Sequence, residues 1–406
     1  MPKLLQINST ANWGSTGRIA EQIGERAIAA GWESYIAYGR NAQPSKSQLI
    51  KIGSRIGVLW HVLMSRLFDC HGLASRFATK RLIKQIKAIN PDIIHLHNIH
   101  GYYLNYRMLF EYLQTISTPI VWTLHDCWSF TGHCAYFDAL GCDRWKTGCH
   151  HCPGLRTYPK AKFADNSKGN YELKKRLFTS LANRITLVPV SGWLGEFVEE
   201  SFLADCGVRV IRNGIDIGTF APQSDVVKRE GLNGRKIILG VAATWSARKG
   251  LSDFLKLRQM LPMDKYAIVL IGLDEEQLAS LPEGVVGFRR TQCARELTEW
   301  YSVADVFLNP TYEDNYPTTN LEAIACGTPV VTYRTGGSPE SITEQTGIVL
   351  EQGDLEAVRT AIETICSNGK APYAEACRKY AEQHFDKDKC FEQYIGLYNE
   401  IINNTK

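Results

Sequence analysis

The sequence lacks several features that would place the protein in a familiar class. Its 406 residues contain no apolar run of about 18 residues, the length that a membrane-spanning helix needs. Met1–Asn8 lacks the long apolar core of a signal peptide, so we expect a cytoplasmic protein. The formal net charge is only +4, which gives no reason to expect a nucleic-acid partner. The glycine-rich turn after the first predicted strand does not match G-x-G-x-x-G, which argues against a nicotinamide dinucleotide site.

Length and composition indicate a globular enzyme of two domains. A chain of 406 residues exceeds what one hydrophobic core usually holds. The hydrophobic fraction of 44% and the charged fraction of 22% are ordinary for such proteins. Strand-like and helix-like segments alternate in both halves, which is typical of α/β domains built on parallel sheets. No proline- or serine-rich linker marks the division between them.

The most informative stretch runs from residue 304 to residue 340. An apolar run, Val306–Leu308, predicts a buried strand. After a polar loop, Pro317 fits the first turn of a helix, and Thr318–Ala325 continues that helix. Pro329–Tyr333 predicts the next strand. The pattern is a strand–loop–helix–strand unit of a parallel sheet, in which ligands bind beyond the carboxyl ends of the strands.

The residue types in this stretch suit a nucleotide-sugar pocket. Free backbone amides at the start of the helix favour an anion such as a diphosphate. The carboxylates of Asp314 and Glu322 would repel a phosphate, so they make better sense as acceptors for hydroxyl groups. The candidate donor-binding residues here are Asn315, Tyr316, Pro317, Thr318, Thr319, Asn320, Leu321 and Glu322.

The same stretch resembles the donor-site signature of family 4 retaining glycosyltransferases of the GT-B fold. That signature is an acidic residue, seven intervening residues and a glutamate, followed by an alanine and a Cys-Gly-Thr-Pro-Val run. Asp314 takes the first acidic position and Glu322 the second. The family usually has glutamate first, and Glu313 lies next to that position. The form Glu-Asp-Asn-Tyr-Pro resembles enzymes of capsule and exopolysaccharide assembly, of the colanic-acid type.

Two cations are predicted at the same sheet edge. The strand Lys236–Ala243 is followed by a loop that contains Arg248 and Lys249. A leaving diphosphate needs positive charge, which these side chains can supply. The family usually has an arginine about five residues before its lysine, a position that Thr244 holds here, so the resemblance leaves open which cation has which role. A solvated basic turn is the alternative.

The first half offers a histidine and two glycines. His125 follows the strand Pro119–Leu124 and resembles the family's histidine beside the donor sugar, where it could donate a hydrogen bond to a hydroxyl or a departing phosphate. The alternative is that His125 bonds Asp126 or backbone and shapes the loop. Gly14 and Gly17 allow backbone to approach a ligand closely, and the resemblance places them near the transferred sugar. A tight turn without a ligand is the alternative.

Two groups of residues could hold a metal ion. His95, His97 and His100 lie on and after one predicted strand, where metal binding, lining of a ligand cleft and ordinary packing are all open. Cys134, Cys142, Cys149 and Cys152 have the spacing C-x7-C-x6-C-x2-C, of which only the last pair has strong zinc-knuckle spacing. A structural zinc ion, free thiols, and disulfides or a cluster remain alternatives for these cysteines.

The helical region Ile56–Ile89 mixes apolar and aromatic residues with lysines and arginines. Such a helix can lie on an anionic membrane, as a peripheral contact at the inner face. Packing on the sheet with a solvated basic face is the alternative.

The resemblance implies two Rossmann-like, doubly wound domains that face a cleft. Residues 1–205 would bind the acceptor, residues 206–387 the donor, and a helix from about 388 to 406 would pack back on the first domain. The implied reaction moves a sugar from a UDP- or GDP-sugar to a lipid-linked glycan, with retention and without a metal cofactor. Arg248, Lys249, Asp314 and His125 would be the catalytic residues.

Two other classes of function stay open. A nucleotide-sugar epimerase of the same fold would act on the donor without an acceptor. A non-catalytic, zinc-centred interaction protein would use the cysteine-containing loop for recognition.

Overall fold

The computed structural model describes residues 1–224, 232 and 234–405. They form two compact units, residues 1–212 together with 391–406 and residues 213–390. Within the described ranges no helix combines the length and the apolarity that crossing a bilayer takes.

The first unit contains a parallel sheet of seven strands in the order β3-β2-β1-β4-β5-β6-β7. Its strands are β1 Lys3–Asn8, β2 Glu33–Tyr38, β3 Gln48–Lys51, β4 Ile93–Leu96, β5 Ile120–Leu124, β6 Ile185–Pro189 and β7 Gly207–Val208. Its helices are α1 Gly14–Ala29, α2 Arg55–Phe68, α3 Arg76–Ile89, α4 Tyr106–Leu113, α5 Arg144–Thr147, α6 Ser167–Thr179 and α7 Gly192–Glu199.

The second unit contains a parallel sheet of six strands in the order β10-β9-β8-β11-β12-β13. Its strands are β8 Lys236–Val241, β9 Tyr266–Ile271, β10 Val285–Phe288, β11 Val306–Asn309, β12 Val330–Tyr333 and β13 Gly347–Leu350. Its helices are α8 Leu251–Met260, α9 Glu275–Ala279, α10 Ala294–Val303, α11 Thr318–Ala325, α12 Leu355–Asn368 and α13 Ala371–His384, and α14 Lys387–Thr405 begins in it.

The central strands of both sheets are buried on both faces. Every residue of β4, β9, β11 and β12 is buried. Helices cover both faces of a parallel sheet, so its inner strands are nearly continuous apolar runs. The apolar runs predicted as strands are therefore confirmed as the central strands of two sheets.

Helix α14 adds side chains to the first unit. The Tyr398 hydroxyl is 2.6 Å from Nδ1 of His95, and the Tyr394 hydroxyl is 3.0 Å from Oγ1 of Thr123. All four residues are buried. Residues 391–406 therefore complete a polar network inside the core of the first unit.

The region from Ile56 to Ile89, predicted to be helical, consists of two helices. Helix α2 ends at Phe68, and Asp69 follows it in the left-handed conformation, with φ of 49°. Gly72 and Ser75 also have positive φ, of 78° and 56°. Positive φ breaks the helical path, so α3 starts afresh at Arg76.

Candidate active site

The residues predicted to bind the donor lie where the strand order of the second sheet reverses. Strand β8 is paired with β9 on one side and with β11 on the other. The chain therefore leaves β8 and β11 toward opposite ends of the sheet, which opens a crevice at their carboxyl ends. In open α/β sheets ligands bind at such a point.

The loops that follow β8 and β11 pack directly against each other. Gly250 has φ of +73°, and a Cβ on it would lie 2.1 Å from the carbonyl oxygen of Pro310. Only glycine fits there. The carbonyl of Arg248 accepts hydrogen bonds from the Tyr312 amide at 2.8 Å and from Oγ1 of Thr311 at 3.2 Å. These contacts fix the backbone of the loop after β8, which contains Arg248 and Lys249, against the loop after β11, which contains Asp314. We call these the basic loop and the acidic loop.

Both predicted cations point to the acidic loop. The Lys249 ammonium group forms an ion pair with Oδ2 of Asp314, and the Arg248 guanidinium group donates to the carbonyl of Glu313. Side-chain exposure is 21% for Lys249 and 16% for Asp314, so the pair is partly desolvated and still accessible. Oδ1 of Asp314 accepts from the Asn315 amide at 3.0 Å. The carboxylate of Asp314 thus orients the ammonium group of Lys249.

Helix α11 begins next to this pair. Its N-cap is Pro317, which provides no side-chain hydrogen bond, and Thr318 and Thr319 are partly exposed. The first amides of the helix are therefore not satisfied by a side-chain cap and can bind an anion. The predicted helix Thr318–Ala325 is confirmed.

Several predicted donor-binding side chains face the protein interior instead. Asn320 is fully buried, where its Oδ1 accepts from Asn309 at 2.8 Å and its Nδ2 donates to Ser341 Oγ at 3.3 Å. The buried members of the predicted set are Asn315, Tyr316, Pro317, Asn320 and Leu321. Thr318, Thr319 and Glu322 are partly exposed. Direct contact of any of these residues with a donor stays a prediction.

Glu322 is oriented by a residue that sequence reasoning missed. The hydroxyl of Tyr301 donates to Oε2 of Glu322 at 2.9 Å. Burial and the neighbouring carboxylate raise the pKa of Tyr301 well above its ordinary value, so the phenol keeps its proton. Nothing in the sequence indicates this pairing, because Tyr301 belongs to α10 and Glu322 to α11.

The buried carboxylate of Asp253 holds the acidic loop in place through hydrogen bonds. Oδ2 of Asp253 accepts from the hydroxyls of Tyr312 and Tyr333, each at 2.8 Å. Burial and the hydrogen bond to Asp253 raise the pKa of Tyr312 to about 12. Because Tyr312 lies in the loop after β11, Asp253 fixes the loop that carries Asp314. In the sequence, Asp253 is a single aspartate in the first turn of a helix, which did not predict this role.

His125 belongs to a chain of hydrogen bonds in the first unit. The Gln6 amide nitrogen donates to the carbonyl of Ala20 at 2.8 Å, so its Oε1 faces Nε2 of His97 at 3.0 Å. His97 must therefore carry its proton on Nε2, and its Nδ1 accepts from Nε2 of His125 at 3.1 Å. These partners assign the proton of His125 to Nε2.

The charge state of His125 follows from the same surroundings. Burial lowers the pKa of His125 to about 4, with Asp126 opposing and His100 reinforcing the shift. At neutral pH the ring is uncharged, and Nδ1 carries the lone pair. The contact of His125 with a sugar hydroxyl or a departing phosphate stays a prediction.

The three histidines near β4 do not converge. His95 is buried between Tyr398 and Thr123, and Nε2 of His100 pairs with Asp126 at 2.9 Å. Among the described residues no three histidine, cysteine or acidic side chains form a group that could hold a metal ion. His95 and His100 are therefore packing residues, and His97 positions His125.

The two glycines have different surroundings. Gly14 starts α1 with φ of +66° and has open space where a side chain would be. At Gly17 a Cβ would lie 2.6 Å from Oγ1 of Thr10. Gly17 therefore allows α1 to pack closely on the loop after β1, and Gly14 allows the sharp entry into the helix. Their contact with a sugar stays a prediction.

The four cysteines surround one small apolar pocket without forming a metal site in this geometry. The Sγ atoms of Cys134 and Cys152 are 3.2 Å apart, and Sγ of Cys149 accepts from the Gly132 amide at 3.2 Å. None of the four forms a disulfide, and they share the pocket with aromatic side chains that include Trp145. Structural zinc stays a prediction here.

Comparisons with known proteins place this geometry in a family. The model of Glycosyltransferase Family 4 matches residues 16–219, and the model described as Glycosyl transferases group 1 matches residues 223–384. Over 98% of its length the chain is 26% identical to the whole of WcaC from Escherichia coli (strain K12), which is named as a colanic acid biosynthesis glycosyl transferase.

Solved structures share the fold. Sucrose-phosphate synthase from Thermosynechococcus elongatus matches 100% of both chains with a TM-score of 0.71 and 17% identity. HepE of Anabaena in complex with UDP-glucose matches 98% of this chain and 99% of its own with a TM-score of 0.65 and 13% identity. The chain belongs to glycosyltransferase family 4, and its two parallel-sheet units are those of the GT-B fold.

Proposed function

We propose that the protein transfers a sugar from a nucleotide-diphosphate-sugar donor to a growing, lipid-linked glycan in cytoplasmic polysaccharide biosynthesis. The observation that carries this proposal is the Lys249–Asp314 ion pair, which lies with Arg248 beside the start of α11. The arrangement offers fixed positive charge for a departing diphosphate and a carboxylate for hydroxyl groups within one crevice.

Each group has a defined task in this proposal. Lys249, Arg248 and the first amides of α11 stabilise the charge that develops on the leaving phosphate, so catalysis requires no metal ion. Asp314 accepts a hydrogen bond from a hydroxyl of the donor sugar and holds the Lys249 ammonium group in position. Glu322, oriented by Tyr301, accepts from the ribose hydroxyls. In the first unit, His125 accepts from a hydroxyl through Nδ1.

Retention of the anomeric configuration is part of this proposal because the resemblance to family 4 retaining glycosyltransferases implies it. The carboxylate of Asp314 is engaged by Lys249 and by the Asn315 amide, so its task is positioning rather than attack on carbon. The incoming hydroxyl then attacks from the face that the phosphate leaves, and the departing phosphate oxygen takes up its proton. NMR of the product would show the anomer of the donor, and an inverted anomer would contradict this route.

Relatives support either uracil or guanine as the base. HepE has been solved in complex with UDP and with UDP-glucose. A mannosyltransferase of Mycolicibacterium smegmatis, 31% identical over 196 residues, is named as GDP-mannose-dependent. We therefore expect a UDP- or GDP-sugar, and polysaccharide assembly is the role that the name of WcaC suggests.

Thermal unfolding with a panel of UDP-, GDP-, ADP- and dTDP-sugars tests the donor pocket. A ligand that binds only the folded protein raises the melting temperature by mass action. One nucleotide class should raise it, and Glu322→Gln should reduce the shift while Glu344→Gln, an exposed carboxylate of the same unit, should not. No shift with any nucleotide would refute the proposal, and conversion of the donor to an isomer without acceptor would favour an epimerase.

A further inference from the structure

The fully buried residues of helix α2 are polar, whereas several of its large apolar residues are exposed. His61 and Ser65 are its buried residues. Ile56, Leu59, Trp60 and Leu63 are exposed, and Ile56 retains 79% of its accessible surface. Spacings of three, one and three residues place these four on one face. Surface helices normally show the opposite arrangement.

Hydrogen bonds fix this orientation. Nδ1 of His61 is 2.8 Å from Oγ of Ser75, and Nε2 of His61 accepts from the Gly72 amide at 3.0 Å. Oγ of Ser65 donates to the carbonyl of His61 at 2.9 Å. The buried polar groups are therefore satisfied, and rotating the helix to bury its apolar face would break the two bonds that join His61 to Ser75 and Gly72.

The exposed apolar surface continues onto α3. Phe77 in the first turn of α3 is 87% exposed, and Phe68 at the end of α2 is also exposed. A groove joins the two helices and is lined by Trp60, Met64 and Phe77 among others. We call the set Ile56, Leu59, Trp60, Leu63, Phe68 and Phe77 the α2–α3 patch. The groove brings exposed apolar side chains of both helices to one surface, and such a surface marks an interaction site.

Cations surround the α2–α3 patch, and the one carboxylate in the region is hidden. Residues 51–91 contain eight lysines and arginines and a single acidic residue, Asp69. Asp69 is buried, and its Oδ1 lies 2.5 Å from Nδ1 of His133. Within the described chain no ion pair engages the cations of the two helices. These are Arg55, Arg66, Arg76, Lys80, Arg81, Lys84 and Lys87.

We infer that the α2–α3 patch docks on a lipid bilayer that carries anionic head groups. Apolar and indole side chains can enter the head-group boundary, while lysines and arginines beside them attract anionic lipids. The surplus of positive charge around the patch is complementary to such a surface. A membrane-bound enzyme would meet a lipid-linked acceptor in two dimensions, but docking itself requires neither donor nor acceptor.

Co-sedimentation of the full chain with vesicles tests the inference. Vesicles of phosphatidylcholine with about one third phosphatidylglycerol should bind the protein, and vesicles of phosphatidylcholine alone should bind it much less. Binding to the anionic vesicles should weaken as salt rises. Absence of binding to anionic vesicles at low salt would overturn the inference.

Paired variants separate the two parts of the surface. Trp60→Ser with Phe77→Ser should abolish vesicle binding, and Lys80→Gln with Lys84→Gln should weaken it about thirtyfold. Both pairs replace exposed side chains, so the fold should survive, and circular dichroism checks this. The matched controls are Phe163→Ser, a 78% exposed phenylalanine outside the patch, and Lys256→Gln, an exposed lysine on α8.

Two results would overturn the proposal in favour of another occupant. Unchanged vesicle binding in Trp60→Ser with Phe77→Ser would show that the patch is not the membrane surface. A dimer of the wild-type chain in sedimentation analysis that this double variant converts to monomer would identify a second copy as the occupant. Neither measurement involves sugar transfer, so the outcome does not depend on the proposed function.

Discussion

Acid should destabilise the first unit well before the second, because nearly all the histidines lie in the first. Nine of the ten histidines fall within residues 1–212. Burial lowers the pKa of His61 and of His125 to about 4. Burial also lowers the pKa of His71, His95 and His97 well below its ordinary range. Each ring is neutral in the folded chain and would take up a proton on unfolding.

The sign and the size of the effect follow from proton linkage. Between pH 6.5 and pH 4 the unfolded state binds more protons than the folded state, so the free energy of unfolding falls as pH falls through this window. With pKa values of about 4 folded and 6.5 unfolded, a single histidine such as His61 removes about 1.8 kcal/mol of stability between pH 7 and pH 5. His61 and His125, the two histidines with a pKa of about 4, together remove about 4 kcal/mol, a large part of the stability of an ordinary domain, and the buried His71, His95 and His97 act in the same direction.

Urea unfolding followed by tryptophan fluorescence measures this effect, since seven of the nine tryptophans lie in the first unit. His61→Gln keeps an acceptor for the Gly72 amide but removes the titrating ring. The loss of stability between pH 7 and pH 5 should be about 1.8 kcal/mol smaller in this variant. His384→Gln, which replaces an exposed histidine of the second unit, is the matched control.

Two results would refute the reasoning. If His61→Gln lost as much stability on acidification as the wild type, His61 would not be a buried neutral ring. If, on acidification, the second unit unfolded at a higher pH than the first, the buried histidines of the first unit would not determine which unit is more sensitive to acid.

Three further predictions concern individual groups. Lys249→Met should lower turnover at least about tenfold through lost stabilisation of the leaving phosphate, while normal turnover would remove its assigned role. Gln6→Met removes the acceptor of the His97 Nε2 proton. The ¹⁵N chemical shifts of His125 should then move away from those of the Nε2-protonated tautomer, and turnover should fall about tenfold. Unchanged shifts would contradict the chain of hydrogen bonds from Gln6 through His97 to His125. If the cysteine loop holds zinc, metal analysis should find zinc that is lost in Cys134→Ser, and metal-free wild-type protein would end that prediction.

Local sequence rules predicted the elements around the candidate site. Apolar runs indicated the central strands because parallel strands buried on both faces leave little room for polar residues. Pro317 indicated where α11 starts because proline tolerates the first turn of a helix, and the helix is observed at Thr318–Ala325. Strands β2, β3 and β13 were not predicted, since their partly exposed residues do not form apolar runs.

Partners distant in the chain were beyond the reach of sequence rules. Tyr301 meets Glu322, and Gln6 meets His97, because the fold brings separate elements together. Composition around α2 showed apolar and basic residues but not which side faces the solvent. That choice depends on buried partners of His61 in the turn after α2, which periodicity does not reveal.

The assignment of residues 391–406 to the first unit has a consequence for how the chain is made. A ribosome emits residues 1–212 long before Tyr394 and Tyr398, so the nascent first unit lacks the hydroxyls that satisfy Thr123 and His95. Residues 213–390, by contrast, are contiguous and complete as soon as they emerge. Although domains usually mature in order of synthesis, here the internal unit can reach its native state first. The amino-terminal unit must wait until residues 391–406 have emerged before its core closes.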